Sequence, residues 1–192
     1  MTKRTLDKIV VVDVESTCWS GDPPLGEPNE IIEIGICILD IATGERQERD
    51  SILVRPERSK ISAFCTGKNT LTQEQVDRGI GFADACELLI SKFKSSERPW
   101  ASYGDYDRLM FERQCRERDI AYPFGKSHTN VKNLFAVFCG LSREVGMAGA
   151  LQHLRIPLEG THHRGGDDAW NIAAILSRII HAARLGGMMS QE

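Results

Sequence analysis

The segment KIVVVDVEST, Lys8–Thr17, constrains the fold more than any other part of the chain. Its unbroken β-branched run, Ile9–Val12, reads as a strand covered on both faces, as in the interior of an α/β sheet. Yet the run ends in two carboxylates one residue apart, Asp13 and Glu15. Side chains alternate along a strand, so both acids point to the same side. Two carboxylates held that close repel each other unless something positive sits between them, and a divalent cation with hard oxygen ligands supplies that charge. The alternative is a strand that stops at Val12 and leaves both acids solvated in a loop. These two residues alone leave both readings open.

The remainder of the sequence is that of an ordinary globular protein. Over 192 residues it is 41% hydrophobic and 27% charged, enough for one sizeable core, and residues 1–192 are expected to form a single domain. A net charge of −3 neither announces nor excludes a nucleic-acid partner, because a bound cation can supply locally the charge that a basic surface otherwise provides. The cysteines, Cys18, Cys37, Cys65, Cys86, Cys115 and Cys139, form no CxxC pair and accompany no histidine cluster at zinc spacing. The N-terminus runs into the first strand with no signal-peptide pattern, and no apolar stretch approaches the roughly 18 residues of a membrane span. A cytoplasmic protein with reduced cysteines and no membrane attachment is expected.

Gly/Pro-rich punctuation (SGDPPLGEPNE) separates the first strand from a second, IIEIGICILD, and the third strand candidate is ERQERDSILVRP. Their close spacing predicts an antiparallel meander. Helices are predicted over LTQEQVDRG and over GFADACELLISKFKSS, the latter with Phe82, Ala85, Cys86, Leu89 and Phe93 along one face. A short strand, RPWASYG, precedes the helix DYDRLMFERQCRERD. HTNVKNLFAVFCG reads as a strand or turn entering a helix, and REVGMAGALQHLR reads as another helix. The last helix, DDAWNIAAILSRIIHAARLGG, is expected to close at Gly186 and Gly187. Three strands followed by alternating helices and strands give an α/β domain with a mixed central sheet, whose site should lie at the strand ends.

Two further acidic clusters bear on the opening pair. In GTHHRGGDDAWNIAAIL, helical geometry puts Asp168 on one face with Ile172, Ile175 and Ile179, and puts Asp167 with Asn171, Ala174 and Arg178. Asp168 therefore points inward, where a carboxylate is costly unless paired or metal-bound. Asp167 points outward, sufficiently explained as a dipole partner or cap. In SYGDYDRLM, Asp105 suits the N-cap, and Asp107 shares a face with Met110 and Phe111 and so faces the core. Taken alone, two aspartates at a helix start are more often capping than catalytic. Glu33, an acid inside the second strand, is expected to accept hydrogen bonds in a structural role.

Together these residues resemble the DEDDh branch of the 3′→5′ exonuclease family, with an Asp-x-Glu on the first strand, an Asp at a mid-chain helix start and a late His-x4-Asp. The matching residues are Asp13, Glu15, Asp107, His163 and Asp168, and the spacing selects His163 over His162. DVESTCW, EIIEIG, FCTGKNTLTQEQVDRG and HHRGGDDAWNIA are similar to the subgroup of the three-prime histone mRNA exonuclease and its stand-alone bacterial relatives. The resemblance covers nearly the whole chain but includes no stretch like the accessory RNA-binding domain of the animal enzymes, which leaves the choice of RNA target open.

The resemblance implies a ribonuclease H-like fold, with a central mixed five-stranded sheet flanked by helices. It also implies a hydrolase that uses two Mg²⁺ or Mn²⁺ ions, held by Asp13, Glu15, Asp107 and Asp168 with Asp13 bridging. His163 would be the general base, and nucleoside 5′-monophosphates would leave from the 3′ end of single-stranded RNA, or of DNA, with no protein partner required. Ser16 and Thr17 would lie at the terminal ribose. Phe64 and Tyr106 are candidates for stacking on the last bases, or alternatively for the core. Rival readings are a DNA proofreading-type exonuclease and a catalytically silent nucleic-acid-binding or polymerase-associated protein.

Overall fold

The computed structural model describes residues 5–188. Five strands form one mixed sheet: β1 (Lys8–Ser16), β2 (Ile31–Asp40), β3 (Arg46–Leu53), β4 (Trp100–Ser102) and β5 (His128–Asn130). They lie in the order β3-β2-β1-β4-β5. β1–β2 and β2–β3 are antiparallel, as the meander requires, while β1–β4 and β4–β5 are parallel. β1 is thus the central strand.

Its β-branched run is covered on both faces. Val10, Val12 and Val14 pack into a core with Phe82 and Leu89 of α3 (Phe82–Phe93) and Phe111 of α4 (Tyr106–Glu117). Val11 faces a second core built with α5 (Val131–Phe138), α6 (Met147–Leu154) and α7 (Gly165–Met188). Alternation therefore turns Asp13 and Glu15 toward the α7 layer.

The start of α7 lies against β2 through glycine. A Cβ built on Gly35 would overlap the main chain of Gly165 and Gly166, and one on Gly165 would press on Gly35 and on the Asp13 carbonyl. This close approach sets the depth at which the helix delivers Asp168. Gly35→Ala is therefore expected to destabilise the protein by about 3 kcal/mol, at the upper end of overpacking costs. That loss lowers the melting temperature by about 6–12 °C in a chain of this size, a shift that circular dichroism would detect.

Four local expectations differ from the structure. An additional helix, α1 (Ala63–Asn69), precedes α2 (Gln73–Asp77); it is capped by the Ser62 hydroxyl accepting from the Cys65 N–H and stops at Thr70 in the left-handed region. α7 does not close at Gly186 and Gly187 but runs to Met188; Arg184 anchors its last turns by donating to the carbonyls of Ala42 and Ile41. Asp105 occupies the N-cap position of α4 without capping it, because its carboxylate accepts from Arg108 and Asn130 instead. Asn171, expected on the outer face of α7, is fully buried. The segment before α7 folds back over it, and its amide brackets both main-chain groups of Glu159.

Candidate active site

Three elements bring the acids together. β1 contributes Asp13 and Glu15 from its C-terminal end. β4 runs parallel beside it and ends early, leaving the Val14 N–H without a strand partner on that side. The carboxylate of Asp107, in the first turn of α4, accepts that N–H at 2.9 Å, so a main-chain donor in need of an acceptor fixes the third acid. α7 contributes Asp168 from its first turn, where the helix dipole favours negative charge. Asp168 is buried with Ile172, Ile175 and Ile179, while Asp167 turns outward to pair with Arg49 and accept the Thr161 N–H.

All four carboxylates line one cleft of about 330 Å³, together with Tyr106, His162 and His163. Ligand oxygens of Asp13, Glu15 and Asp168 lie within 4.8 Å of one another. Burial, followed by the charges of Asp107, Asp168 and Glu15, raises the Asp13 carboxyl well above the ordinary range. Burial and Asp168 push Glu15 up to about 8, against the opposing effect of the Asn69 side chain. Asp107 is raised to about 6 by burial, offset in part by the Val14 N–H. Asp168 is also raised by burial, with His162 working against the shift. An all-oxygen donor set that cannot hold its charges unaided fits hard divalent cations such as Mg²⁺ or Mn²⁺.

The two histidines are placed differently. His162 directs Nδ1 at the Asp168 carboxylate, 2.9 Å from Oδ2. His163 donates its backbone N–H to the same oxygen at 3.0 Å and stacks its ring on that of His162, with centroids 4.0 Å apart. It sits in the left-handed region, φ 66°, which is unusual for a residue with a Cβ. Burial and the neighbouring His162 lower the pKa of its imidazole. Glu33, opposite Glu15 on β2, has the structural role expected of it. It is buried, and accepts from Arg164 Nη2 at 2.9 Å, from the Gly165 N–H at 3.0 Å and from the Ser51 hydroxyl. It thereby ties down the end of the histidine loop.

The residues expected to hold substrate divide. Tyr106, exposed, lines the cleft; Ser16 is buried and does not line it, but its hydroxyl meets that of Tyr106 at 2.8 Å. Thr17 is not brought to it: the residue is fully buried and its hydroxyl accepts the Glu30 N–H at 2.9 Å, because the turn leaving β1 needs that acceptor. Phe64 stands exposed on α1, with the Lys68 ammonium 5.7 Å from its ring, and does not line the cleft. The cleft is also lined by Tyr103, Gly146 and Met147, which sequence reasoning missed. Their residue types carry no chemical signal, and only the packing of α6 against α7 and the Tyr103 hydroxyl donating to the Val145 carbonyl bring them there.

A model of the exonuclease family (RNase_T) matches residues 10–176. The chain belongs to this exonuclease family. Among its relatives, the rat (Rattus norvegicus) 3′-5′ exoribonuclease 1 is 32% identical over 184 residues, covering 91% of this chain and 53% of the relative, so the chain spans about half of that protein's length. The nuclease domain of 3′hExo, a DEDDh family member solved bound to rAMP, is 29% identical with a TM-score of 0.82, covering 94% of each chain. A 3′-exonuclease solved with the histone mRNA stem-loop gives 28% identity and a TM-score of 0.82, covering 94% of this chain and 66% of that one. The mixed five-stranded sheet with flanking helices is thus the ribonuclease H-like fold of the DEDDh exonucleases. Among the described residues, no helix is long and apolar enough to cross a membrane.

Proposed function

We propose that residues 1–192 act as a single metal-dependent 3′→5′ exonuclease domain, degrading single-stranded nucleic acid, RNA in preference to DNA, to nucleoside 5′-monophosphates. The observation that carries this reading is the meeting of four carboxylates from β1, α4 and α7 with two histidines in one cleft, in a chain of the exonuclease family. The RNA preference draws support from the relative named an exoribonuclease and from the 3′-exonuclease solved with an RNA stem-loop. Six free cysteines fit a reducing, cytoplasmic setting.

Asp13, Glu15, Asp107 and Asp168 would hold two Mg²⁺ or Mn²⁺ ions. Asp13 feels the charge of the other three, which supports its being the shared ligand. When bound, the ions supply charge neutralisation at the phosphodiester and a more acidic water. His163 takes the proton of the attacking water at its ring, since an imidazole kept neutral by its surroundings can accept one. The water oxygen bonds to phosphorus as the bond from phosphorus to the 3′-oxygen of the penultimate nucleotide breaks, and that oxygen leaves as a 3′-hydroxyl, taking a proton from solvent. Ser16 and Tyr106 orient the terminal nucleotide, Tyr106 offering its exposed ring to the base.

With Mg²⁺ or Mn²⁺, a 5′-labelled single-stranded RNA is expected to shorten stepwise from its 3′ end, and EDTA is expected to stop the reaction. Matched RNA and DNA oligonucleotides in competition should show RNA consumed first. Intact RNA and DNA after incubation with the metal-loaded protein would overturn the reading in favour of a binding protein without activity.

A further inference from the structure

The far end of α7 carries a second cavity, of about 300 Å³, on the opposite end of the sheet from the carboxylates. One wall is the β2–β3 turn, held against the helix by the Ser177 hydroxyl donating to the Gly44 carbonyl at 2.6 Å and by Arg184 donating to the carbonyls of Ala42 and Ile41. The other wall is the outer face of α7, and the cavity is lined by Arg46, Arg178, His181 and Arg184 with no carboxylate among its lining residues. Arg46 is already matched by Glu159 and stacked on Trp170. Arg184 meets only neutral carbonyls. Arg178 and His181 find no partner among the described residues.

A built, acid-free recess with two guanidinium groups that no carboxylate neutralises is unexpected in a chain of net charge −3. Guanidinium donors in a fixed fork match the oxygens of a phosphate. Arg178 lies ten residues beyond Asp168 on the same helix, about 15 Å along its axis. That separation is within reach of a strand whose 3′ end occupies the carboxylate cleft and whose backbone passes outside the Glu159 segment that covers Asn171.

We propose that this cavity binds a phosphate group, supplied by the upstream backbone of the nucleic-acid strand being degraded; this rests on the exonuclease reading above. Docking there would hold long strands between successive cleavages and would leave very short ones unaffected.

The test uses the double variant Arg178→Ala/His181→Ala, both exposed positions outside the cleft. Fluorescence anisotropy is measured in Mg²⁺ with 5′-labelled RNAs of about 20 and about 2 nucleotides, above and below typical single-strand site sizes and the shorter unable to span the distance to Arg178, with hydrolysis-resistant phosphorothioate 3′ linkages. The variant is expected to bind the longer RNA about 5–30-fold more weakly, with a salt slope reduced by about 1–2. The shorter RNA should bind, and its unmodified form turn over, as with wild type. Unchanged affinity for the longer RNA would overturn the proposal. If inorganic phosphate or a nucleoside 5′-monophosphate binds wild type but not the variant while long RNA is unaffected, the cavity serves a free phosphate and the strand assignment falls. Failure of the exonuclease reading has a different signature, unmodified RNA left intact by the wild-type protein, and it leaves both anisotropy arms readable.

Discussion

Asp13→Asn is expected to abolish nuclease activity, by about 10³-fold or more, without lowering the melting temperature of the metal-free protein. The loss corresponds to about 4 kcal/mol of barrier, and it follows from removing the carboxylate that feels the charge of Asp107, Asp168 and Glu15. The retained stability follows from the same geometry. Burial and the like charges around it favour the neutral form of this side chain when no cation is present, and asparagine keeps the shape of that neutral form. Functional sites commonly hold their ligands at a cost to stability, so a disabling change there need not unfold the protein. Thermal melts with and without Mg²⁺ separate the two effects. Wild type at about 100-fold above the dissociation constant gains about 2.7 kcal/mol, or about 5–10 °C, and the variant gains far less. A variant that melts well below metal-free wild type would show that Asp13 is a structural residue, and one that still degrades RNA would remove it from the catalytic set.

The sheet and the acids were legible because each has a local pattern. A β-branched run can be satisfied on both faces only in mid-sheet, and β1 is the central strand. Period-2 alternation put Asp13 and Glu15 on one side, and the 3.6-residue period separated inward Asp168 from outward Asp167. What was illegible depends on contacts distant in sequence. Gly35 and Gly165 look like ordinary strand and loop glycines until the two segments are seen to touch. Asn171 reads as an outer-face residue because nothing in the helix announces that Glu159 will fold over it. The hydroxyl of Thr17 follows an obvious site motif yet serves the turn beside it. α1 was hidden by the glycine and asparagine of FCTGKN, residues that normally mark loops, and the cap at Ser62 outweighs them.

The paired histidines pose the question that sequence spacing alone answers in one way and geometry sharpens. His162 has its Nδ1 committed to Asp168 at 2.9 Å, so its ring orients a carboxylate. The His163 ring lines the cleft and makes no hydrogen bond among the described residues, while its backbone N–H to Asp168 fixes where the ring stands. Burial and the adjoining imidazole favour its neutral form, the only form that can take a proton. His163→Ala is therefore expected to lower kcat by about 10²–10⁴-fold, the usual contribution of a general base, while Mg²⁺ still raises the melting temperature as in wild type. His162→Ala is expected to cost about 10-fold, in the range for residues that orient a metal ligand, and to weaken the Mg²⁺-dependent gain in melting temperature. The two readouts distinguish proton transfer from ligand positioning. If His163→Ala retains near wild-type turnover and His162→Ala loses it with the metal-dependent stabilisation intact, the base is His162, and the stacked ring beside it is its support.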